Sequence, residues 1–254
     1  MKPRSPFSIL GVRIDPVTMQ EALDRIGAFL DSGRQHHVVT VNPEFIMGAR
    51  NNDPFRSVLN MAALAVPDGV GVRFAGLVQG RWLPERVTGV DLTLRIAELA
   101  VAKRVSLMLY GAGYGVAKEA AKSLQARFPT LHIVGAENEE NFLFHRRSDE
   151  ESVGRIRRRR PAVLLVALGS PQQDLWIAKH LHHMPSVRVA MGVGGTFDYL
   201  AGVVPRAPRF VRQVGLEWLW RLAREKPALR RRRFHRILTA TVLFPFAVLR
   251  SPRS

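Results

Sequence analysis

The sequence predicts an α/β fold, a mainly parallel sheet flanked by helices, followed by a basic helical C-terminal appendage. Three observations carry this reading. Apolar runs of strand length alternate with stretches of helical periodicity. Short loops rich in Gly, Pro, Asn or Asp separate many of the runs from the helices after them. The texture then changes near residue 205, after which charge is concentrated.

Taken in order, strands are expected at His37–Val41, Arg104–Tyr110, Leu131–Gly135, Ala162–Ala167 and Val187–Val193, with a further apolar stretch at Met61–Val66. Helices are expected over Thr18–Ser32, Phe45–Asn51, Pro54–Met61, Gly89–Ala102, Tyr114–Arg127, Glu150–Arg158 and Gln172–His182. AGVVPRAP at Ala201–Pro208 reads as a connector. Phe210–Lys226 reads as an amphipathic helix, with Val211, Val214, Trp218 and Leu222 at helical spacing. These elements divide the chain into a larger α/β unit at 1–204 and an appendage at 205–254. No internal repeat or low-complexity linker interrupts them.

Composition narrows the function classes. The 254 residues are 46% hydrophobic and 23% charged, which suits a folded domain with a sizeable core. The absence of cysteine excludes disulfides, thiolate catalysis and thiolate metal sites. The N-terminal stretch Met1–Pro16 lacks the apolar centre of a signal peptide. No run of about 18 apolar residues predicts a membrane-spanning helix. The net charge is +17, and residues 205–254 hold thirteen Lys/Arg against two Asp/Glu. A basic tail of this kind points to a polyanionic partner, an anionic lipid surface or a nucleic acid. The cluster Arg230–Arg233 beside the apolar run Ile237–Leu249 favours the lipid surface. That run is too short to span a bilayer but suits an interface, with Phe244 and Phe246 as inserting side chains. A solvated basic face is the plainer alternative.

Six loops carry chemistry-bearing residues, and each has an ordinary structural reading as well. Thr40-Val41-Asn42-Pro43-Glu44 offers hydroxyl and amide groups to a sugar or uracil, or is simply a helix start. Pro67-Asp68-Gly69-Val70-Gly71 presents a carboxylate beside two glycines. Asp68 can act as a general base there, although Pro-Asp-Gly is also common in turns. Arg86-Val87-Thr88-Gly89-Val90-Asp91 sets an arginine before a helix start, where phosphates bind, or merely caps the helix. Gly111-Ala112-Gly113-Tyr114-Gly115 can cradle a diphosphate with backbone amides, or is a tight turn. Gly169-Ser170-Pro171-Gln172-Gln173-Asp174 and Gly192-Val193-Gly194-Gly195-Thr196-Phe197-Asp198 add amides and an aspartate, and both also read as turns.

Several signatures are missing. No Asp-x-Asp pair occurs, so the common metal-dependent way of holding a sugar nucleotide lacks its mark. The pairs His36/His37 and His182/His183 have no metal-ligand spacing. There is no Gly-x-Ser-x-Gly elbow and no Gly-Lys-Ser/Thr phosphate loop.

In this order and spacing the motifs resemble the WecG/TagA/CpsF glycosyltransferase family. The matching segments are Thr40–Glu44, Pro67-Asp68-Gly69, Arg86–Leu92, Gly169–Asp174, Phe197–Gly202, Arg206-Ala207-Pro208 and Gly215–Leu219, together spanning roughly residues 8–233. The resemblance implies a Rossmann-like core of the type called GT-E. It implies inverting transfer from a UDP-sugar donor to a polyprenyl-diphosphate-linked saccharide, with no metal and no cofactor. Through it Asp68 becomes the general base, Thr40 and Asn42 a polar pair, and Arg86 and Gln173 donor or catalytic residues. From the loops themselves, Gly111, Gly113, Gly169, Pro171, Gln172 and Asp198 are expected to line the substrate. Arg221 and Arg224 are the candidates for appendage arginines that reach the site at the membrane.

This chain departs from the family pattern in three places. Asp174 stands where Glu is usual. Glu225-Lys226-Pro227 carries an insertion in a Glu-Pro pair. Residues 230–254 extend further than expected. The resemblance places the protein peripherally on the cytoplasmic face of a bacterial inner membrane. A homo-oligomer is compatible with the sequence, which does not name the donor sugar: glucose and N-acetylmannosamine both occur in the family.

Two other functions compete. An NAD-dependent oxidoreductase would use Gly111–Gly115 with Glu137 on the ribose, but Val116 replaces the third glycine of the dinucleotide fingerprint. A nucleic-acid-binding protein would explain the charge, but no recognition module is apparent and stacking aromatics are not interleaved with the basic residues. The expected partners therefore exclude nucleic acid.

Overall fold

The computed structural model describes residues 4–138, 149–208, 210–211, 219–220 and 239–251. A short antiparallel hairpin, β1 (Phe7–Ile9) and β2 (Val12–Ile14), leads the chain. Then follow α1 (Met19–Asp31), β3 (His36–Val41), α2 (Pro43–Arg50), α3 (Asp53–Met61), β4 (Leu64–Pro67), α4 (Val70–Val78) and α5 (Gly89–Ala102). The second half runs β5 (Leu107–Gly111), α6 (Val116–Arg127), β6 (Ile133–Glu137), α7 (Asp149–Arg159), β7 (Val163–Ala167), α8 (Gln172–His180), β8 (Val189–Gly192) and α9 (Thr196–Leu200). A π-helical turn at Thr239–Leu243 enters α10 (Phe244–Arg250).

Six strands pair in parallel in the order β4-β3-β8-β7-β5-β6. A parallel sheet covered on both faces needs strands that are apolar throughout, and β4, β5, β7 and β8 are buried along their whole lengths. Val38, Leu64, Leu107, Leu165 and Met191 meet α1, α5, α6 and α9 on one face. On the other, Val39, Val41 and Ala65 meet the hairpin, α2, α3, α4 and α10, while Met108, Tyr110 and Leu164 meet α7 and α8. Asp15, fully buried, ties the hairpin to the sheet. Its carboxylate takes the Ala65 N–H at 2.7 Å and pairs with Arg13, also at 2.7 Å.

Local chemistry starts the helices. Thr18 and Glu21 form a capping box on α1. Asn42, Asn52 and Thr88 cap α2, α3 and α5 with their side chains, and proline occupies the first turn of α2 and α3.

The α/β class and the parallel sheet agree with the expectation from sequence. The hairpin, α4 and α9 are additional. The apolar stretch ending at Val66 is strand β4. Within the apolar run of the tail, Phe244 and Val248 do not insert outward. They are buried in the core, where their helix packs against α4. Of the expected helix Phe210–Lys226, residues 210–211 and 219–220 are described and helical, and the Trp220 indole N–H donates to the Pro205 carbonyl at 3.3 Å. Among the described residues no helix is long and apolar enough to cross a membrane.

Candidate active site

In a parallel α/β sheet the loops at the carboxyl ends of the strands share one edge, where ligands bind. Here that edge collects the loops after Val41, Pro67, Gly111, Ala167 and Gly192.

The loops after β3 and β4 are knitted together. The Asp68 N–H donates to the Val41 carbonyl at 2.8 Å, and the Val87 N–H donates to the Pro67 carbonyl at 2.9 Å. The second bond draws the segment before α5 against β4, bringing the Asp68 carboxylate to the α5 N-terminus. There its Oδ2 stands 3.4 Å from the Gly89 N–H. Helix N-termini attract negative charge, so the position suits a carboxylate. Asp68 is half-buried. Thr40 is buried at the end of β3. A Cβ at Gly89 would lie 3.8 Å from the Thr40 hydroxyl and 3.7 Å from that of Thr196. Asn42 has a structural duty as well, since its side chain accepts the Phe45 N–H at 3.0 Å. Close packing here needs Gly71, where a Cβ would lie 2.6 Å from Pro43. Arg86 is half-buried, two residues before the α5 cap.

The loops after β7 and β8 join through Gln173. This side chain is 1% exposed. Its Oε1 accepts the Gly194 N–H at 2.8 Å, and its Nε2 donates to Asp174 Oδ2 at 3.3 Å. Asp174, fully buried, meets His37 Nε2 through Oδ1 at 3.2 Å. A Cβ at Gly192 would strike both side chains, at 2.5 Å and 2.6 Å, so glycine there admits the pair. Gln173 thus braces the Gly192–Gly195 turn. Gly169, Pro171 and Gln172 flank it, with Gln172 exposed.

At the end of β5, Gly111 has φ +100° and a Cβ there would lie 2.7 Å from the Ala167 carbonyl oxygen. That oxygen accepts the Ala112 N–H at 2.8 Å. Gly113 is exposed and Gly115 precedes α6 in a left-handed conformation. Asp198 is half-buried on α9, and its carbonyl holds the Val204 N–H at 3.2 Å.

Two clusters result: Asp68, Gly89, Thr40 and Thr196 lie together, and hydrogen bonds join Gly194, Gln173, Asp174 and His37. Arg221 and Arg224 lie outside the described residues. Residue-by-residue reading assigned no role to Thr196, to the His37–Asp174 contact or to Arg206. Arg206 donates to Asp91 Oδ1 at 2.7 Å, while Thr88 Oγ1 donates to Asp91 Oδ2, also at 2.7 Å. The segment bearing Arg206 is thereby fastened to the first turn of α5. A Thr cap followed three residues later by Asp was the available signal. A separate cavity of about 1000 Å³ opens at the amino ends of the strands, lined by Arg104, Arg160, Arg188, His182 and His183. It is on the opposite edge of the sheet from the carboxyl-end loops.

Fold and site define an α/β protein whose polar loops cluster where such sheets hold their ligands. The chain belongs to the glycosyl transferase WecG/TagA/CpsF family, whose model matches residues 7–254. It is 34% identical over 194 residues to an N-acetylglucosaminyldiphosphoundecaprenol N-acetyl-β-D-mannosaminyltransferase of Bacillus spizizenii, covering 76% of this chain and 73% of that protein. It is 32% identical over 219 residues to the enzyme of the same name from Staphylococcus aureus, covering 84% and 82%.

Proposed function

We propose that this glycosyltransferase moves a hexose from a UDP-sugar to a saccharide carried on polyprenyl diphosphate, with inversion at the anomeric carbon. The relatives' names support a lipid-linked N-acetylglucosamine acceptor and make N-acetylmannosamine the first donor sugar to test. The observation that carries the reading is the position of Asp68: a half-buried carboxylate at the α5 N-terminus, beside the buried end of β3 that bears Thr40.

In this proposal Asp68 takes the proton of the acceptor hydroxyl as that oxygen forms its bond to the anomeric carbon. The bond from that carbon to the UDP oxygen breaks on the opposite side. Such base assistance is worth about 10²–10⁴ in rate. Thr40 and Asn42 orient the sugar. The leaving diphosphate is met by Arg86, by backbone amides of the Gly111–Gly115 and Gly169–Gln173 loops, and by Arg221 and Arg224, without a metal ion. Gln173 acts by positioning the Gly194 turn. The enzyme works peripherally, on the cytoplasmic face of the membrane that holds its acceptor, with the basic tail contributing attraction to anionic lipid.

A UDP-release screen tests this, using UDP-N-acetylmannosamine, UDP-glucose and related donors with a short-chain polyprenyl-diphosphate N-acetylglucosamine acceptor. Release that depends on both donor and acceptor is expected. Failure with every donor, alongside tight binding of NAD, would replace the proposal with the oxidoreductase reading.

A further inference from the structure

Helix α4 begins two residues after Asp68 and carries an apolar face that points away from the protein. Val70, Phe74 and Leu77 follow one another at helical spacing and are 40%, 41% and 57% exposed, whereas Val72, Ala75 and Gly76 on the other side are buried. The helix ends in a Schellman turn: the Gly80 N–H donates to the Leu77 carbonyl at 3.0 Å and the Arg81 N–H to that of Gly76 at 2.8 Å, with Gly80 at φ +69°. This turn, together with buried Leu83, sets Trp82 outward at 60% exposure, with the Arg73 guanidinium 5.8 Å from its ring.

Helix α10 and the turn before it pack beside α4 and also expose apolar side chains. Phe244 anchors that helix beside α4, where a Cβ at Gly71 would come within 3.5 Å of its ring. Val242, Leu243, Phe246 and Leu249 remain 48–63% exposed, and Arg250 lies 4.0 Å over the Phe246 ring. Residues 69–84 and 239–251 contain no Asp or Glu but do contain Arg73, Arg81 and Arg250.

We propose that the α4 face, with Trp82 at its edge, is a docking surface of the catalytic core for an anionic phospholipid bilayer, and that it sets the Asp68 loop at the headgroup level. The proposal rests on the lipid-linked acceptor read above. Exposed apolar and aromatic side chains mixed with arginines match the headgroup–acyl boundary. Charge selects this occupant over a second copy of the chain. A two-fold contact through the same face would bring Arg73, Arg81 and Arg250 together with no carboxylate from either copy's segments.

The test is tryptophan quenching by brominated phosphatidylglycerol vesicles, comparing the full-length protein with Trp82→Phe. The difference between the two reports Trp82 alone. Quenching of that component is expected, and Phe74→Glu/Leu77→Glu should weaken vesicle binding by about tenfold or more while its thermal midpoint stays unchanged. The same double variant should keep turnover on a short-chain soluble acceptor and lose it on a vesicle-embedded one. An unquenched Trp82 in vesicle-bound protein, or unchanged vesicle affinity of the double variant, would overturn the proposal. So would a lipid-free dimer that the double variant dissociates. Quenching of Trp82 without sugar transfer to either acceptor would count against the function above and leave the docking surface standing.

Discussion

Gln173 accepts the Gly194 N–H at 2.8 Å from inside the protein, so one buried amide side chain sets the turn after β8 from the first turn of α8. Replacing it with leucine strands the Gly194 donor and removes the hydrogen bond to Asp174. Leaving a buried group unsatisfied costs about 1–3 kcal/mol. Gln173→Leu is therefore expected to lose about 2 kcal/mol in urea denaturation and to lower turnover through a displaced loop.

Gly111 is constrained by both conformation and space. With φ at +100° and the Ala167 carbonyl oxygen 2.7 Å from any added Cβ, alanine must move the β5 or β7 end. Strained backbone of this kind costs about 1–3 kcal/mol. Gly111→Ala is expected to fall in the upper part of that range in thermal or chemical unfolding. Gly113→Ala, whose added Cβ would come no closer than 3.6 Å to the Val116 side chain, should cost less.

The Arg206–Asp91 pair fastens the segment bearing Arg206 to α5 at 2.7 Å. Asp91 is partly exposed, so solvent screens the pair. A double-mutant cycle with Arg206→Ala and Asp91→Ala should give a coupling of about 0.5–1 kcal/mol, not several. Added salt should reduce it.

Much of the sheet was legible in the sequence because strands buried on both faces must be apolar throughout, and the runs around Val38, Leu109, Leu165 and Ala190 leave no other reading. Helix α4 was not legible. Gly71 and Gly76 look like loop residues, yet each is glycine because something presses on it: Pro43 at 2.6 Å from a Cβ at Gly71, and the Arg81 carbonyl oxygen at 2.9 Å from one at Gly76. The hairpin strands have three residues each, too few to show alternation. At the site, the Asp68 carboxylate stands 3.4 Å from the Gly89 N–H, a contact between two loops that sequence spacing does not place together. The network from Gln173 through Asp174 to His37 was hidden because 137 positions of sequence separate His37 from Asp174. Phe244 looked like a membrane-facing residue because hydropathy cannot tell a side chain that enters lipid from one that enters the core.

Asp149 provides a pH test remote from the site. Burial pushes its carboxyl up, but hydrogen bonds from His180 and Lys179, the His180 charge and the Trp176 N–H outweigh this and hold it below the ordinary carboxylate value. A carboxyl lowered in the folded state stabilises above its unfolded value, and that contribution is lost as pH falls through the folded one. Asp149→Asn should therefore cost stability near neutrality. Partial exposure limits the cost to about 1 kcal/mol or less. The difference from the parent protein should shrink below about pH 4 in acid unfolding curves.

The most direct test is the turnover number of Asp68→Asn with saturating donor and acceptor, measured beside its thermal midpoint. A loss of about 10²–10⁴ in turnover with an unchanged midpoint is expected if this carboxylate removes the acceptor proton. Turnover within a few-fold of the parent protein would contradict the mechanism.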